Sequence, residues 1–292
     1  MIVITGATGG LGAGIVRELL DRVPPADIAV SVRDPRKADD LAVRGVRVRR
    51  GDFDDPESLS HAFEGADRVL VTSVDSLGPA AVAQHAAAAG AAADAGARRV
   101  FYTAHQNVLT DSPFGAAPDH AQTERRIAEI GVPWTSLRNG FYAHTVGHLV
   151  AGALETGELA LPDDGPVSWT SRDDLAAGAA VLLAAGNDGP LFDGPTPPLT
   201  AGDAVTFADI AEMMSDITST TIRRTVVDDE DWVRSMIASG MPEPAARLML
   251  GLFEAGRRGD FAAVDPALEE LIGREPQTTR TQLETLLSSS RR

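Results

Sequence analysis

The 292-residue chain contains no cysteine, which excludes disulfides, thiolate metal sites, iron–sulfur ligation and cysteine nucleophiles. Lysine is almost as scarce. Of 26 basic residues only Lys37 is a lysine, so no mechanism that needs a catalytic lysine elsewhere is available. Positive charge is short overall: 42 acidic residues leave a formal net charge of −16, which repels phosphate backbones and anionic membrane surfaces and argues against nucleic acid and membrane partners. No apolar run approaches the ~18 residues that a membrane span requires. Met1–Thr5 enters an apolar, β-branched stretch with no basic leader, so the expectation is an untargeted cytoplasmic protein. A G-x-S-x-G elbow and a Walker-type G-K-[ST] are also missing, which leaves hydrolase and P-loop readings unsupported.

What is present is an ordinary globular balance, 43% hydrophobic and 23% charged, arranged in a clear rhythm. MIVITGA, IAVSV, VRVRR, RVLVTSV and RRVFYTA recur through the first half with helix-like stretches of roughly 15 to 25 residues between them. Continuous Val and Ile runs suit strands buried on both faces, so the pattern predicts α/β architecture: a Rossmann-type, doubly wound parallel sheet. Asp55-Pro56-Glu57 supplies an N-cap, a first-turn proline and a first-turn acid for a helix ending near Gly65. The alanine-rich segment from Pro79 to Gly96, interrupted by Gln84, His85 and Asp94, reads as a helix packed close to the sheet.

After about residue 135 the rhythm weakens. Val132–Leu137 suits a sixth strand, Tyr142–Leu154 and Asp173–Ala185 read as helices, and the Pro-rich Gly194–Leu199 as a surface connection. Phe207–Ile217 suits a helix, Thr221–Val227 a strand, and short helices follow. Residues 1–135 are therefore expected to form the dinucleotide-binding domain and 136–292 mainly a smaller, irregular α+β lobe that closes over a ligand, with the chain free to cross between them. No internal repeat is present, and oligomeric state is left open, a homo-oligomer included.

The strongest motif follows the first strand. Gly6-Ala7-Thr8-Gly9-Gly10-Leu11-Gly12 is a G-x-x-G-x-x-G turn opening a helix, where glycine lets backbone approach a pyrophosphate and the helix end offers unpaired N–H groups. At the end of the second strand an acid would bind a ribose 2′-hydroxyl, whereas an arginine accommodates a 2′-phosphate. Arg33, backed by Arg36 and Lys37, makes that spot electropositive and favours NADPH, with Asp34 the residue that opposes this choice. Asp52 and Phe53, after the third strand, are placed to bond and cover an adenine; Thr72-Ser73-Val74 ends the fourth strand beside the ribose. Ordinary strand-to-loop chemistry is the alternative for both.

The runs ITGATGGLG, VRDP, GDF, VFYTA and HAQTERRIAEIGVPWTSLRNGFY resemble the NmrA-like group of atypical short-chain dehydrogenase/reductases, and within it the NADPH-dependent quinone oxidoreductase and triphenylmethane reductase branch. The resemblance extends from residue 1 to about 185 and thinly to the end. It implies a Rossmann-type domain, NADP(H) binding and a C-terminal substrate lobe, with cofactor contacts from Gly6 to Leu11, from Arg33, from Ser73, Val74 and Asp75, and from Asn139, Gly140, Phe141 and Tyr142 on to His144. One departure matters. The Tyr-x-x-x-Lys pair of ordinary short-chain dehydrogenases is missing, since Gln106 follows Tyr102 and Val146 follows Tyr142 at the fourth position. Where related reductases place a lysine, thirteen residues before Pro133, this chain has His120, as the quinone and dye reductase branch does.

That substitution selects the chemistry. Reduction of an unactivated carbonyl needs a proton donor at the nascent alkoxide, whereas hydride addition to a quinone gives a delocalised, weakly basic phenolate that solvent can protonate. The expected substrate is a quinone-like aromatic small molecule. His120, taken with the ordinary imidazole pKa of about 6.5, is the expected donor and Tyr142 the residue that orients the ring. The alternatives are a solvent-facing His120, a non-catalytic dinucleotide sensor, and a biosynthetic reductase of an aromatic substrate. His144 and His148 stand at i, i+4 without the acid of H-E-x-x-H, so no metal is expected. Trp169 reads as lobe core rather than as a stacking platform, and Phe141 shares that ambiguity.

Overall fold

Each apolar run of the first half becomes a parallel strand: β1 (Ile2–Thr5), β2 (Ile28–Val32), β3 (Arg47–Arg50), β4 (Arg68–Val71) and β5 (Arg99–His105), followed by β6 (Trp134–Asn139). The computed structural model describes residues 1–185 and 192–289. Further strands are short: β7 (Phe141–Tyr142), β8 (Glu158–Pro162), β9 (Trp169–Thr170), β10 (Gly194–Pro195) and β11 (Arg223–Val227). Among the described residues the central sheet has seven strands in the order β10-β6-β5-β4-β1-β2-β3, all parallel where paired. The order reverses between β1 and β4, the switch point at whose C-terminal crevice doubly wound sheets bind ligands. Within β1, Ile2 and Ile4 pack into one core and Val3 into the core on the other face, so both sides of the sheet are covered.

The helices of the first half are α1 (Gly10–Leu20), α2 (Asp39–Val43), α3 (Pro56–Phe63), α4 (Pro79–Asp94) and α5 (Ala116–Ala128). Asp55 caps α3 as its position predicts, accepting from the Ser58 N–H. At the other end of that helix the Arg49 guanidinium donates to the carbonyls of Ala62 and Glu64, which neutralises its negative end and blunts the exposed edge strand β3.

The second half comprises α6 (His144–Val150), α7 (Ala153–Thr156), α8 (Arg172–Ala184), α9 (Phe207–Thr218), α10 (Asp229–Ala238), α11 (Glu243–Arg257), α12 (Ala267–Ile272) and α13 (Thr279–Ser289). Two sequence expectations change here. The helix expected over Tyr142–Leu154 starts only at His144, because Phe141–Tyr142 is held as a strand against Trp169–Thr170, and it breaks at Gly152 before α7. The Pro-rich segment is no surface connection. Gly194–Pro195 pairs with Thr135–Ser136 as the seventh strand, and Leu199 is fully buried, its N–H donating to the Arg138 carbonyl. Proline is tolerated there because an edge strand leaves one row of N–H groups unneeded.

The chain thus leaves the sheet after β6, returns through α8 and β10, and leaves again. Helix α8 lies so close to α1 that a Cβ on Gly14 would stand 3.0 Å from the Ala176 methyl. The lobe has its own core around Trp169, Phe207, Trp232, Phe253 and Phe261. No helix among the described residues is long and apolar enough to cross a membrane.

Candidate functional site

The glycine turn sits at the switch point. Gly6 adopts φ +63°, Gly9 caps α1, and the Gly9 N–H closes the turn on the Gly6 carbonyl at 2.9 Å. A Cβ on Gly12 would fall 2.3 Å from that same carbonyl, so the turn exists only because residue 12 has no side chain. Gly9 differs, since its missing Cβ meets nothing nearer than 3.3 Å; its glycine keeps open the concave side that a phosphate would enter. No acid stands in the first turn of α1, so the positive end of the helix is unneutralised. Thr8 and Gly10 are exposed and Leu11 buried beneath them.

Arg172, absent from the sequence expectations, closes the turn from the other side. Its guanidinium lies 2.3 Å from where a Gly10 Cβ would be, and it makes no ion pair among the described residues. A cavity of about 450 Å³ opens beside it, lined in part by Gly10, His144, Arg172, Gln277, Gln282 and Leu283.

At the end of β2 the opposing acid is already engaged. Both oxygens of Asp34 accept from Arg36, at 2.9 Å each, and this guanidinium holds the Asp34 carboxyl below the usual carboxylate range. Arg33 is exposed and without an ion pair among the described residues. The arrangement therefore offers a free cation and a spent anion where a 2′-phosphate would lie. Across from it Asp52 accepts from the Asp54 N–H, and Phe53 packs part-buried against the core beneath β4.

The C-terminal ends of the interior strands β4 and β6 carry the rest. Thr72 donates twice to Thr5 at 2.8 Å, from its N–H to the hydroxyl and from its hydroxyl to the carbonyl, the Ser73 N–H donates to the Thr103 hydroxyl, and Val74 N–H donates to Nε2 of buried His85 at 2.9 Å; Asp75 is exposed just beyond. At the end of β6 Gly140 is held by the Leu199 carbonyl, and Asn139 is buried with its side-chain oxygen unpartnered. Phe141 packs edge-on against Trp169 at 5.3 Å, which places both in the core, as expected for Trp169. Burial pushes the Tyr142 hydroxyl up, against the pull of the Asn139 side chain beside it.

His120 does not simply face solvent. It lies on α5, which a paired Glu124–Arg138 bridge (3.1 and 2.8 Å) fastens to β6, and its Nδ1 is 2.7 Å from the hydroxyl of fully buried Tyr102. Burial holds its imidazole at about 4, so the ordinary value of about 6.5 assumed for it does not apply and the ring is neutral at pH 7. Tyr102 also meets Nδ1 of His85 at 3.3 Å. A third imidazole, His105, is ringed by Phe114, Phe141 and Phe261 at 5.1 to 5.4 Å, and neither ring nitrogen has a hydrogen-bond partner. His85, Tyr102, His105 and Arg172 escaped the sequence reading as site residues. The one signal was His85, a polar interruption on the sheet-facing side of an alanine-rich helix. His144 and His148 stand 6.3 Å apart between ring centres, and no third ligand joins them among the described residues.

A cation without an ion pair and a buried amide oxygen without a partner among the described residues, with a glycine turn at the same crevice, fit a phosphorylated dinucleotide. Comparison with known proteins points the same way. Residues 1–286 match the NmrA-like family. The chain is 32% identical over 281 residues to quinone oxidoreductase 2 of Escherichia coli, covering 96% of each. Among solved structures it superposes on an NADPH-dependent quinone oxidoreductase of Escherichia coli complexed with NADPH (TM-score 0.92, 28% identity, 98% of this chain and 100% of that one). It superposes equally on the triphenylmethane reductase of a Citrobacter species complexed with NADP(H) (TM-score 0.90, 29% identity, 98% and 100%).

Proposed function

The chain belongs to the NmrA-like family and is an NADPH-dependent oxidoreductase, and from that premise we propose that its acceptor is a quinone or a similarly flat, electron-poor ring such as a cationic dye. NADPH, when bound, supplies the hydride. In this reading the backbone of Gly6, Thr8, Gly9, Gly10, Leu11 and Gly12 receives the pyrophosphate with Arg172 as its counter-charge, and Arg33 takes the 2′-phosphate. Asp52 and Phe53 flank the adenine, while Ser73, Val74, Asp75 and Asn139–Tyr142 hold the other end. His120 donates a hydrogen bond to the acceptor oxygen and Tyr142 orients its ring.

The observation that carries the reading is the state of the donor. His120 is neutral at pH 7, the chain's sole lysine is Lys37, and burial raises both tyrosine hydroxyls out of the working pH range. Such a set can stabilise charge developing on a quinone oxygen, which solvent then protonates, yet lacks the tyrosine–lysine pair positioned to hand a proton to a nascent alkoxide. NADPH oxidation across quinones, triphenylmethane dyes, azo compounds, aldehydes and ketones tests it. Turnover is expected with the first two, and turnover confined to aldehydes and ketones would overturn the reading.

A further inference from the structure

We propose that His85 and Tyr102 are positioning residues that fix the tautomer of His120, so that its Nε2 carries the proton and faces the acceptor. The proposal deepens the assignment of His120 as donor and rests on that reading for its catalytic consequence, but not for its structural content.

A backbone N–H only donates, so the 2.9 Å bond from Val74 requires an unprotonated Nε2 on His85. His85 is buried, and its neutral ring must then carry its proton on Nδ1. That nitrogen lies 3.3 Å from the Tyr102 hydroxyl and 3.3 Å from the Thr123 hydroxyl, and donates to this pair. Tyr102 has a single proton left to place. Its 2.7 Å separation from Nδ1 of His120 matches an O–H donor, whereas N–H donors cluster near ~2.9–3.0 Å. Tyr102 therefore donates, Nδ1 of His120 accepts, and the neutral His120 ring holds its proton on Nε2, which has no hydrogen-bond partner among the described residues.

Each link is set by the one before it, and the first link is the loop that ends β4. The ring centres stand 5.2 and 5.7 Å apart along the series, so the polar chain runs through the core between α4 and α5. Burial supports the assignment by holding His85 and His120 at about 4, neutral at pH 7. The chain stops at a peptide N–H, which cannot resupply a proton. It orients a donor and moves no proton, so the product takes its proton from solvent.

The test uses the full chain carrying ¹⁵N-labelled histidine. Long-range proton–nitrogen spectra, assigned with His85→Gln and His120→Gln, report which ring nitrogen bears the proton. The expected result is Nδ1–H for His85, the minor tautomer of imidazole in water, and Nε2–H for His120. In Tyr102→Phe the His120 nitrogen resonances should move while His85 keeps Nδ1–H. Quinone kcat should fall about fivefold, the worth of one neutral hydrogen bond, with KM for NADPH unchanged. Nδ1–H on His120, Nε2–H on His85, or His120 resonances that ignore Tyr102→Phe would overturn the proposal. The wild-type spectra decide it even if the variant does not fold. Correct tautomers without quinone turnover would instead refute the acceptor assignment and leave the hydrogen-bonded chain standing.

Discussion

Arg33 and Asp34 are adjacent and oppositely charged at the end of β2, where the proposed site would meet a 2′-phosphate, and what separates them is a third residue. Sequence alone shows the conflict; in the structure Arg36 engages both oxygens of Asp34, while Arg33 has no ion pair among the described residues. Arg33→Ala should therefore erase most of the preference for NADPH over NADH. A hydrogen bond to a charged group contributes ~1.5–3 kcal/mol, roughly ten- to hundredfold in Kd, and calorimetric titration of both nucleotides into the two proteins would show it. Equal affinities in the wild type would remove the assignment. Arg172→Met should weaken NADPH and NADH alike, by about tenfold, because a pyrophosphate is common to both. Arg172 was illegible in the sequence because nothing local marks it: it stands about 160 residues from the turn it covers and arrives there only when α8 packs on α1. Tyr102 was hidden for the opposite reason. Its motif context pointed to a dyad that the chain lacks, while its partners His85 and His120 come from two other elements.

Among elements, the βα units of the first half were legible because periodicity, N-caps and glycines agree locally. The two-residue strands β7, β9 and β10 were not, since such strands are defined by their partners rather than by any pattern of their own. The first βα turn allows a sharp separation of folding from binding. Gly12→Ala drives a Cβ into the Gly6 carbonyl, so thermal denaturation should show a clear loss of Tm. Gly9→Val brings a Cβ within 3.3 Å of the same carbonyl, a contact that a small shift relieves, so it should lower Tm far less than Gly12→Ala while abolishing NADPH binding. Normal binding by that variant would place the phosphate site elsewhere.

At the scale of the whole molecule, three imidazoles in or beside the sheet, His85 buried and His105 and His120 partly buried, make the fold sensitive to acid. His85 and His120 are held at about 4 and His105 at about 3, each by burial. Between those values and about 6.5 the unfolded chain binds more protons than the folded one, so stability falls as pH falls through this window. Each group can contribute up to about 1.4 kcal/mol per pH unit there. Tm measured at pH 7.5 and 5.0 should drop, and His105→Leu should drop less, since it also removes two unpartnered polar atoms from a ring of phenylalanines. A Tm that does not change with pH would contradict the neutral state on which the donor argument depends. Proton delivery is what separates the two substrate classes: general acid catalysis contributes ~10²- to 10⁴-fold, and ketones need it far more than quinones. The most direct measurement is steady-state kcat/KM at pH 7 with a simple quinone and with an unactivated ketone, in the wild type and in His120→Ala. The quinone rate is expected at least ~10²-fold above the ketone rate, lowered only about tenfold by His120→Ala. Efficient ketone reduction by the wild type, abolished in His120→Ala, would contradict that expectation.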